Sequence, residues 1–357
     1  MRRPGGWHNR LLVSLSRVPW RMRTARPPGG QVQRLLLVRV DERLGNLLGL
    51  QPLLDAIRGH WPGCQLGLLA SERMRPVVES LQGIDQLHLL NKRWAFRKPA
   101  RWLRVLREVR CRGYQVAIDA SAWHEFSYTH AVLTYYSGAP VRIGYWREGA
   151  PGKRLHNRLV KPGPEDEYEV RQRMRLLEPL GIEANPSPLR TRLGEAEAGG
   201  FRDWLAEQQA SRPLLGLWPG ARKQLRRWPL DCWVQLAGHL RKQLDAGLVV
   251  MWGPGERGLA ERLQNLAGEP CLLAPATTIP QLAGLLRSCD LVISNDTGPM
   301  HLSVAVGTPT VALFASGQPS RWGHPGPGVQ NLACPGLDKA GEVELIVRAC
   351  RELLAGD

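Results

Sequence analysis

The chain has no apolar run long enough to cross a bilayer; the nearest approach, residues 11–20, is short and interrupted by Arg17. That stretch also lacks a small-residue cleavage site, so no secretory signal is expected. Metal-ligand spacing is missing: the seven cysteines (Cys64, Cys111, Cys232, Cys271, Cys289, Cys334 and Cys350) are scattered and odd in number. They read as free thiols in a reducing compartment, most of them small core residues. No carboxylate cluster demands a divalent cation. Zinc-finger spacing, an RNA-binding aromatic signature and a helix-turn-helix pattern are all absent, so no nucleic-acid partner is expected. Internal repeats and low-complexity tracts are absent as well.

Acidic residues are missing from the first 30 positions, which hold seven arginines together with Trp7 and Trp20. Such a mixture reads either as an interfacial arm on an anionic membrane or as an unstructured basic tail. A second basic cluster runs over residues 92–112, where nine basic residues meet one acid, Glu108. After Pro99 it reads as a helix with Trp102, Leu103, Val105, Leu106 and Val109 apolar, and with Arg101, Arg104 and Arg107 along another face. That face is either simply solvated or directed at an acidic partner, phospholipid head groups or a phosphorylated acceptor. These clusters account for much of the net charge of +16.

With 357 residues the chain is long enough for two domains. Apolar strands alternating with amphipathic helices indicate α/β architecture. Strands are expected at 34–40, 65–70, 86–90, 114–119 and near 141–144, with helices over 47–59, 124–137 and 170–181. The 150–170 stretch, rich in Gly, Pro and charge, reads as a loop, and Pro186 and Pro188 mark the approach to a boundary. The expected division is a basic arm over 1–30, one Rossmann-like domain over 31–190 and another over 191–357. The second half offers strands at 214–218, 247–252, 290–293 and 310–314 and a terminal helix over 341–354.

Polar turns follow the strands of that second half. After Val292 and Ile293 comes Ser294-Asn295-Asp296-Thr297-Gly298-Pro299-Met300-His301, then a helix that Gly307 is suited to stop. The backbone N–H groups of Thr297, Gly298 and their neighbours would face outward at the positive end of a helix dipole, which suits a phosphate. The plainer alternative is that Asp296 or Thr297 caps the helix. Trp218-Pro219-Gly220-Ala221 is followed by Arg222, Lys223, Arg226 and Arg227 before the helix signal Trp228-Pro229, a diphosphate clamp or a solvated loop. Trp252-Gly253-Pro254-Gly255-Glu256 ends another strand, where Glu256 could accept from both ribose hydroxyls or merely favour a helix start. Strand ends of this kind commonly line one crevice.

These blocks, with Arg39-Val40-Asp41, Leu44-Gly45-Asn46, Pro52-Leu53-Leu54 and Gly307-Thr308-Pro309-Thr310, resemble the heptosyltransferase-type glycosyltransferases, the family of the ADP-heptose:lipopolysaccharide heptosyltransferases. The resemblance covers about residues 34–330. It implies a GT-B fold, two Rossmann-like domains facing a central cleft, with the nucleotide-sugar donor on the C-terminal domain and the acceptor on the N-terminal one. It further implies an inverting transfer without metal or cofactor, ADP-heptose as donor, and an anionic glycolipid such as lipopolysaccharide as acceptor. The place implied is the cytoplasm, peripheral on the inner face of the cytoplasmic membrane. Arg226, where the family usually has lysine, would contact the diphosphate with Arg222 and Lys223 beside it, and Glu256 the ribose. Asp296 would hold sugar hydroxyls, and Thr297, Gly298 and His301 would line the phosphate region. The physical reading agrees, since cations and a helix N-terminus can stabilise a departing diphosphate.

One position departs from the family. Its first loop normally reads Gly-Asp, the aspartate resembling the base that deprotonates the acceptor; here Gly45 is followed by Asn46, and an amide cannot take that proton. The expectation is that Asp41 serves as base, with Glu42 second and Asn46 positioning the acceptor; alternatively Asp41 pairs with Arg39 or Arg43. A sugar-nucleotide or glycolipid scaffold without turnover, and a nucleotide-sugar epimerase, are the competing functions.

Overall fold

Short buried runs joined by amphipathic segments can pair in parallel only through crossovers, which are right-handed almost without exception. The computed structural model describes residues 31–91, 93, 97–148, 155–268 and 271–356, and shows two parallel sheets built in this way. The basic arm at 1–30, and Lys92 of the second cluster, lie outside the described residues. The chain divides into two compact units: one takes the chain through Glu42 and then Gly49–Ser187, the other Arg43–Leu48 and Pro188–Asp357.

The first unit contains strands β1 (Arg34–Arg39), β2 (Gln65–Ser71), β3 (Gln86–Leu90), β4 (Val116–Asp119), β5 (Val141–Tyr145) and β6 (Arg158–Val160), in the order β3-β2-β1-β4-β5-β6. The strand order reverses between β1 and β4, where Val38 is in register with Asp119. The expected helix over 47–59 is divided: α1 (Leu44–Leu48) clusters with the second unit, and α2 (Gln51–His60) begins with Pro52 in its first turn. Farther along come α3 (Arg75–Glu79), α4 (Pro99–Cys111), α5 (Tyr128–Tyr136) and α6 (Glu169–Met174). α5 starts four residues later than its apolar pattern begins, because Ser127 caps it by accepting from the His130 N–H. α6 is shorter than expected and passes into a 3-10 turn (Arg175–Leu180) that holds Pro179, which cannot donate to a regular helix. β6 lies inside the stretch read as a loop; three residues beside Pro and Gly carry too little pattern to be recognised as an edge strand.

The second unit repeats the arrangement with β7 (Leu214–Trp218), β8 (Gly247–Val250), β9 (Cys271–Leu273), β10 (Leu291–Asn295), β11 (Thr310–Phe314) and β12 (Val329–Ala333), in the order β12-β11-β10-β7-β8-β9. Its helices are α7 (Ala198–Glu207), α8 (Leu230–Leu244), α9 (Arg257–Ala267), α10 (Ile279–Ser288), α11 (Gly298–Val306), α12 (Pro319–Trp322) and α13 (Lys339–Ala355). Trp228, Trp233, Leu236 and Leu240 pack beneath the sheet with Ile346 and Cys350 of α13 in one buried cluster. Six of the seven cysteines are buried and free; Cys111, at the end of α4, is exposed. No helix among the described residues is long and apolar enough to cross a membrane.

The α7 and α10 segments approach so closely that glycine is required. A Cβ on Gly284 would stand 2.7 Å from Glu197 Cβ and 3.0 Å from the Ala198 nitrogen, while one on Gly194, at φ +80°, would run into the Gly284 backbone. Alanine is the better helix former by about 1 kcal/mol. Gly284→Ala is nevertheless expected to lower stability by about 1–3 kcal/mol through overpacking, read as a reduced midpoint in urea unfolding.

Candidate functional site

The C-terminal ends of β7 and β10 are neighbours at the point where the second sheet reverses its order, Ser294 being in register with Trp218. This is the usual ligand position in an open α/β sheet. Asn295, fully buried, donates from Nδ2 to the Pro219 carbonyl at 2.8 Å and accepts at Oδ1 from the Trp228 N–H at 3.1 Å. It thereby ties both ends of the basic loop carrying Arg222, Lys223, Arg226 and Arg227 to β10. Arg222 and Lys223 are exposed, and Arg226 closes a single 3-10 turn.

Asp296 follows Asn295 and is 1 % exposed. Its Oδ2 lies 2.9 Å from Arg226 Nη1, and a Cβ on Gly317 would come within 2.8 Å of it, so the carboxylate fits only because residue 317 is glycine. Neither carboxylate oxygen has a hydrogen bond among the described residues beyond this ion pair. Burial raises the Asp296 carboxyl above its ordinary range, and Arg226 and Lys223 pull it partly back. Thr297 occupies the N-cap of α11 in extended conformation but makes no side-chain cap bond. Among the described residues the N-cap side chain thus leaves the head of the helix open, as an anion site requires. Gly307, at φ +85°, ends the helix as expected from its position.

Glu256 comes from the turn after β8. Its Oε2 accepts from the Gly253 N–H at 3.2 Å, its Oε1 lies 3.9 Å from Arg227 Nη2, and a Cβ on Gly220 would collide with the carboxylate. The structure thus brings Glu256 to the Pro219-Gly220 turn, two blocks that are 36 positions apart in sequence. Burial raises its pKa, against the Gly253 N–H and Arg227. His301, the fourth residue of α11, pairs through Nδ1 with His324 Nε2 at 2.6 Å.

The residues expected to perform the chemistry are distributed differently. Asn46 lies in α1, which clusters with the second unit and packs Gly45 against the His301 ring. Asp41 and Glu42 belong to the first unit. Asp41 Oδ2 is 2.7 Å from Nη2 of Arg39, a fully buried arginine that also donates to the Ala120 carbonyl. Burial lowers the Arg39 pKa to about 10, opposed by Asp41. Glu42 accepts from Ser71 Oγ and Arg73 Nη1, each at 3.1 Å. Arg101, Arg104 and Arg107 are exposed on α4, with Arg101 3.1 Å from Glu72.

Sequence reasoning missed a second buried polar group at the strand ends of the first unit. Asp119, read only as the last residue of a strand, lies 3.2 Å from His156 Nε2 and accepts from the Ser121 N–H at 2.9 Å. His130 Nε2 accepts from the Val40 N–H at 3.0 Å, which leaves Nδ1 as the donor to Ser127 Oγ at 2.6 Å. The available signal was an aspartate closing an otherwise apolar strand. Burial alone would raise Asp119, but His156, with the Ser121 N–H, holds it well below the carboxylate range. A depressed carboxyl contributes stability above its unfolded pKa of about 4 and loses it as pH falls toward the folded value. Asp119→Asn should therefore cost about 3–5 kcal/mol at pH 7, and the gap to the parent should narrow below about pH 4 in denaturant titrations.

Solved structures share this fold. A family 9 glycosyltransferase from Veillonella parvula superposes with a TM-score of 0.79 at 19 % identity, covering 94 % of this chain and all of that one. The Escherichia coli heptosyltransferase WaaC with ADP gives 0.71 at 20 %, covering 89 % and 100 %. Two Rossmann-like units on this pattern give the protein the GT-B fold. The chain belongs to glycosyltransferase family 9, the heptosyltransferases, whose family model matches residues 102–348. Lipopolysaccharide heptosyltransferase 1 of Pseudomonas aeruginosa is 25 % identical over 301 residues, 80 % of this chain and 79 % of that protein. Lipopolysaccharide heptosyltransferase 2 of E. coli is 24 % identical over 312 residues, 80 % and 83 %.

Proposed function

We propose that this glycosyltransferase moves heptose from ADP-heptose to lipopolysaccharide or a related anionic glycolipid at the cytoplasmic face of the inner membrane, with inversion and without metal or cofactor. The observation that carries the reading is the Arg226–Asp296 pair beside the uncapped N-terminus of α11. Diphosphate oxygens can take the Arg226 guanidinium and the helix-head N–H groups, assisted by Arg222 and Lys223. The released Asp296 carboxylate is then matched to sugar hydroxyls, and Glu256 to the ribose. Negative charge developing on the departing ADP meets cations and backbone dipoles, the work a metal would otherwise do. The relatives' names supply lipopolysaccharide as acceptor class. On α4, Leu103 is 59 % exposed among arginines 104, 107 and 110, a face suited to an anionic lipid surface.

In the transfer, the acceptor oxygen bonds to the anomeric carbon, the bond to the diphosphate breaks, and the acceptor proton passes to a base. Asp41 is the proposed base, with Arg39 orienting its carboxylate and Glu42 as the second choice; Asn46 positions the acceptor.

Arg226→Ala should weaken ADP binding by about 10–100-fold in calorimetry, the worth of a hydrogen bond to a charged group. Glu256→Ala should weaken ADP and leave pyrophosphate binding unchanged. Turnover of ADP-heptose should survive EDTA; loss of activity restored by a divalent cation would sink the metal-free reading. ADP binding without glycosylated product would favour a scaffold, and conversion of the sugar nucleotide without acceptor an epimerase.

Asp41→Asn should lower kcat by about 100-fold or more with ADP affinity kept. Equal turnover by Asp41→Asn and Glu42→Gln would remove both carboxylates from the chemistry.

A further inference from the structure

The His301 ring is held on two sides. Its Nδ1 meets His324 Nε2 at 2.6 Å, the rings crossing at 80° with centroids 4.9 Å apart. On the opposite side, a Cβ on Gly45 would collide with His301 Cδ2 and stand 2.9 Å from Nε2. His324 is itself clamped: its N–H donates to Asn331 Oδ1 at 3.3 Å, and Asn331 Nδ2 donates back to its carbonyl at 2.9 Å. Gly323 leaves room for that amide, since a Cβ there would stand 2.5 Å from Asn331 Cγ. His324 is 4 % exposed, whereas His301 is half-buried. Two imidazoles at this separation share one proton, so one ring donates and the other accepts. Burial, then the neighbouring His301, keeps His324 well below the usual histidine range, which suits a neutral acceptor.

We propose that His324 is a positioning residue for His301: it accepts a hydrogen bond from Nδ1–H, fixes the ring's tautomer and rotation, and thereby holds the Nε2 edge against Gly45 of α1. The inference deepens the donor-site reading of the second unit and rests on it. His301 stands on the helix whose head is assigned to the donor phosphates and touches Gly45, the neighbour of Asn46 in α1. One ring thus relates the donor's anchor to the residue assigned to acceptor placement. Freed to flip, it would offer the wrong nitrogen and relax its contact with Gly45. The cost would fall on turnover more than on donor affinity.

The test uses the full chain with ¹⁵N-labelled histidine and no donor. In the parent protein, His301 Nδ1 should show a protonated, pyrrole-type shift. His324→Phe keeps a ring of similar size but no acceptor; it should populate the other His301 tautomer and lower kcat by on the order of 10–100-fold while the ADP Kd stays within about twofold. His324→Gln, which returns an amide near the Nε2 position, should recover most of the lost kcat. An unprotonated His301 Nδ1 in the parent protein would overturn the proposal without any variant. So would a Phe variant with parental tautomer and turnover. The tautomer is read without donor, so failure of the parent protein to bind ADP would sink the donor-site reading separately.

Discussion

The basic loop assigned to the donor diphosphate depends on one buried amide. Asn295 ends β10, and its two hydrogen bonds reach the residue that opens the basic loop and the residue that closes it. A seven-residue loop, 221–227, with four cations would otherwise spread by self-repulsion. Pinned at Pro219 and Trp228, it places Arg226 within ion-pair distance of Asp296, the residue just past the end of β10. Trp228 is fixed in turn by its indole, which donates to Glu342 of α13 at 2.6 Å. The site's precision is therefore anchored in the core beneath the sheet, away from its exposed side chains.

The two units show how an α/β architecture is encoded. Both sheets have the same strand order, yet the halves share no visible sequence repeat. Buried strands need only short apolar runs, and right-handed crossovers do the rest, so topology is insensitive to residue identity. The central strands were legible for this reason. β6, β9 and β12 were not: they are edge strands of three to five residues, and the partly exposed Val329–Ala333 carries no continuous apolar pattern. The donor turns were legible because glycine, proline and charge at strand ends have few other uses. Asn295 was visible as a member of a motif, but its partners are 67 and 76 positions away and no local pattern announces them. Asp119, His130 and His156 were invisible for the same reason, each gaining its role only from residues brought in by other elements.

The first unit handles charge differently from the second. Around the donor turn, cations outnumber carboxylates and several face solvent. At the ends of β1 and β4, Arg39, Asp119, His130 and His156 are all buried, each against a fixed partner. Buried pairs of this sort are costly to desolvate and intolerant of losing one member, so they define a conformation more than they add stability. The pairing of Asp41 with Arg39 belongs to this pattern: a partly exposed carboxylate lies against a fully buried guanidinium.

The thiols carry a practical consequence. Burial pushes Cys64, Cys232 and Cys271 up to about 11 and Cys289 and Cys334 up to about 12, with Cys350 higher still, so the thiolates needed for alkylation are scarce at neutral pH. Cys111 alone is exposed, at the end of the arginine-bearing helix. A maleimide fluorophore applied to the unmodified protein would attach there, giving an optical reporter on that helix without a single engineered residue.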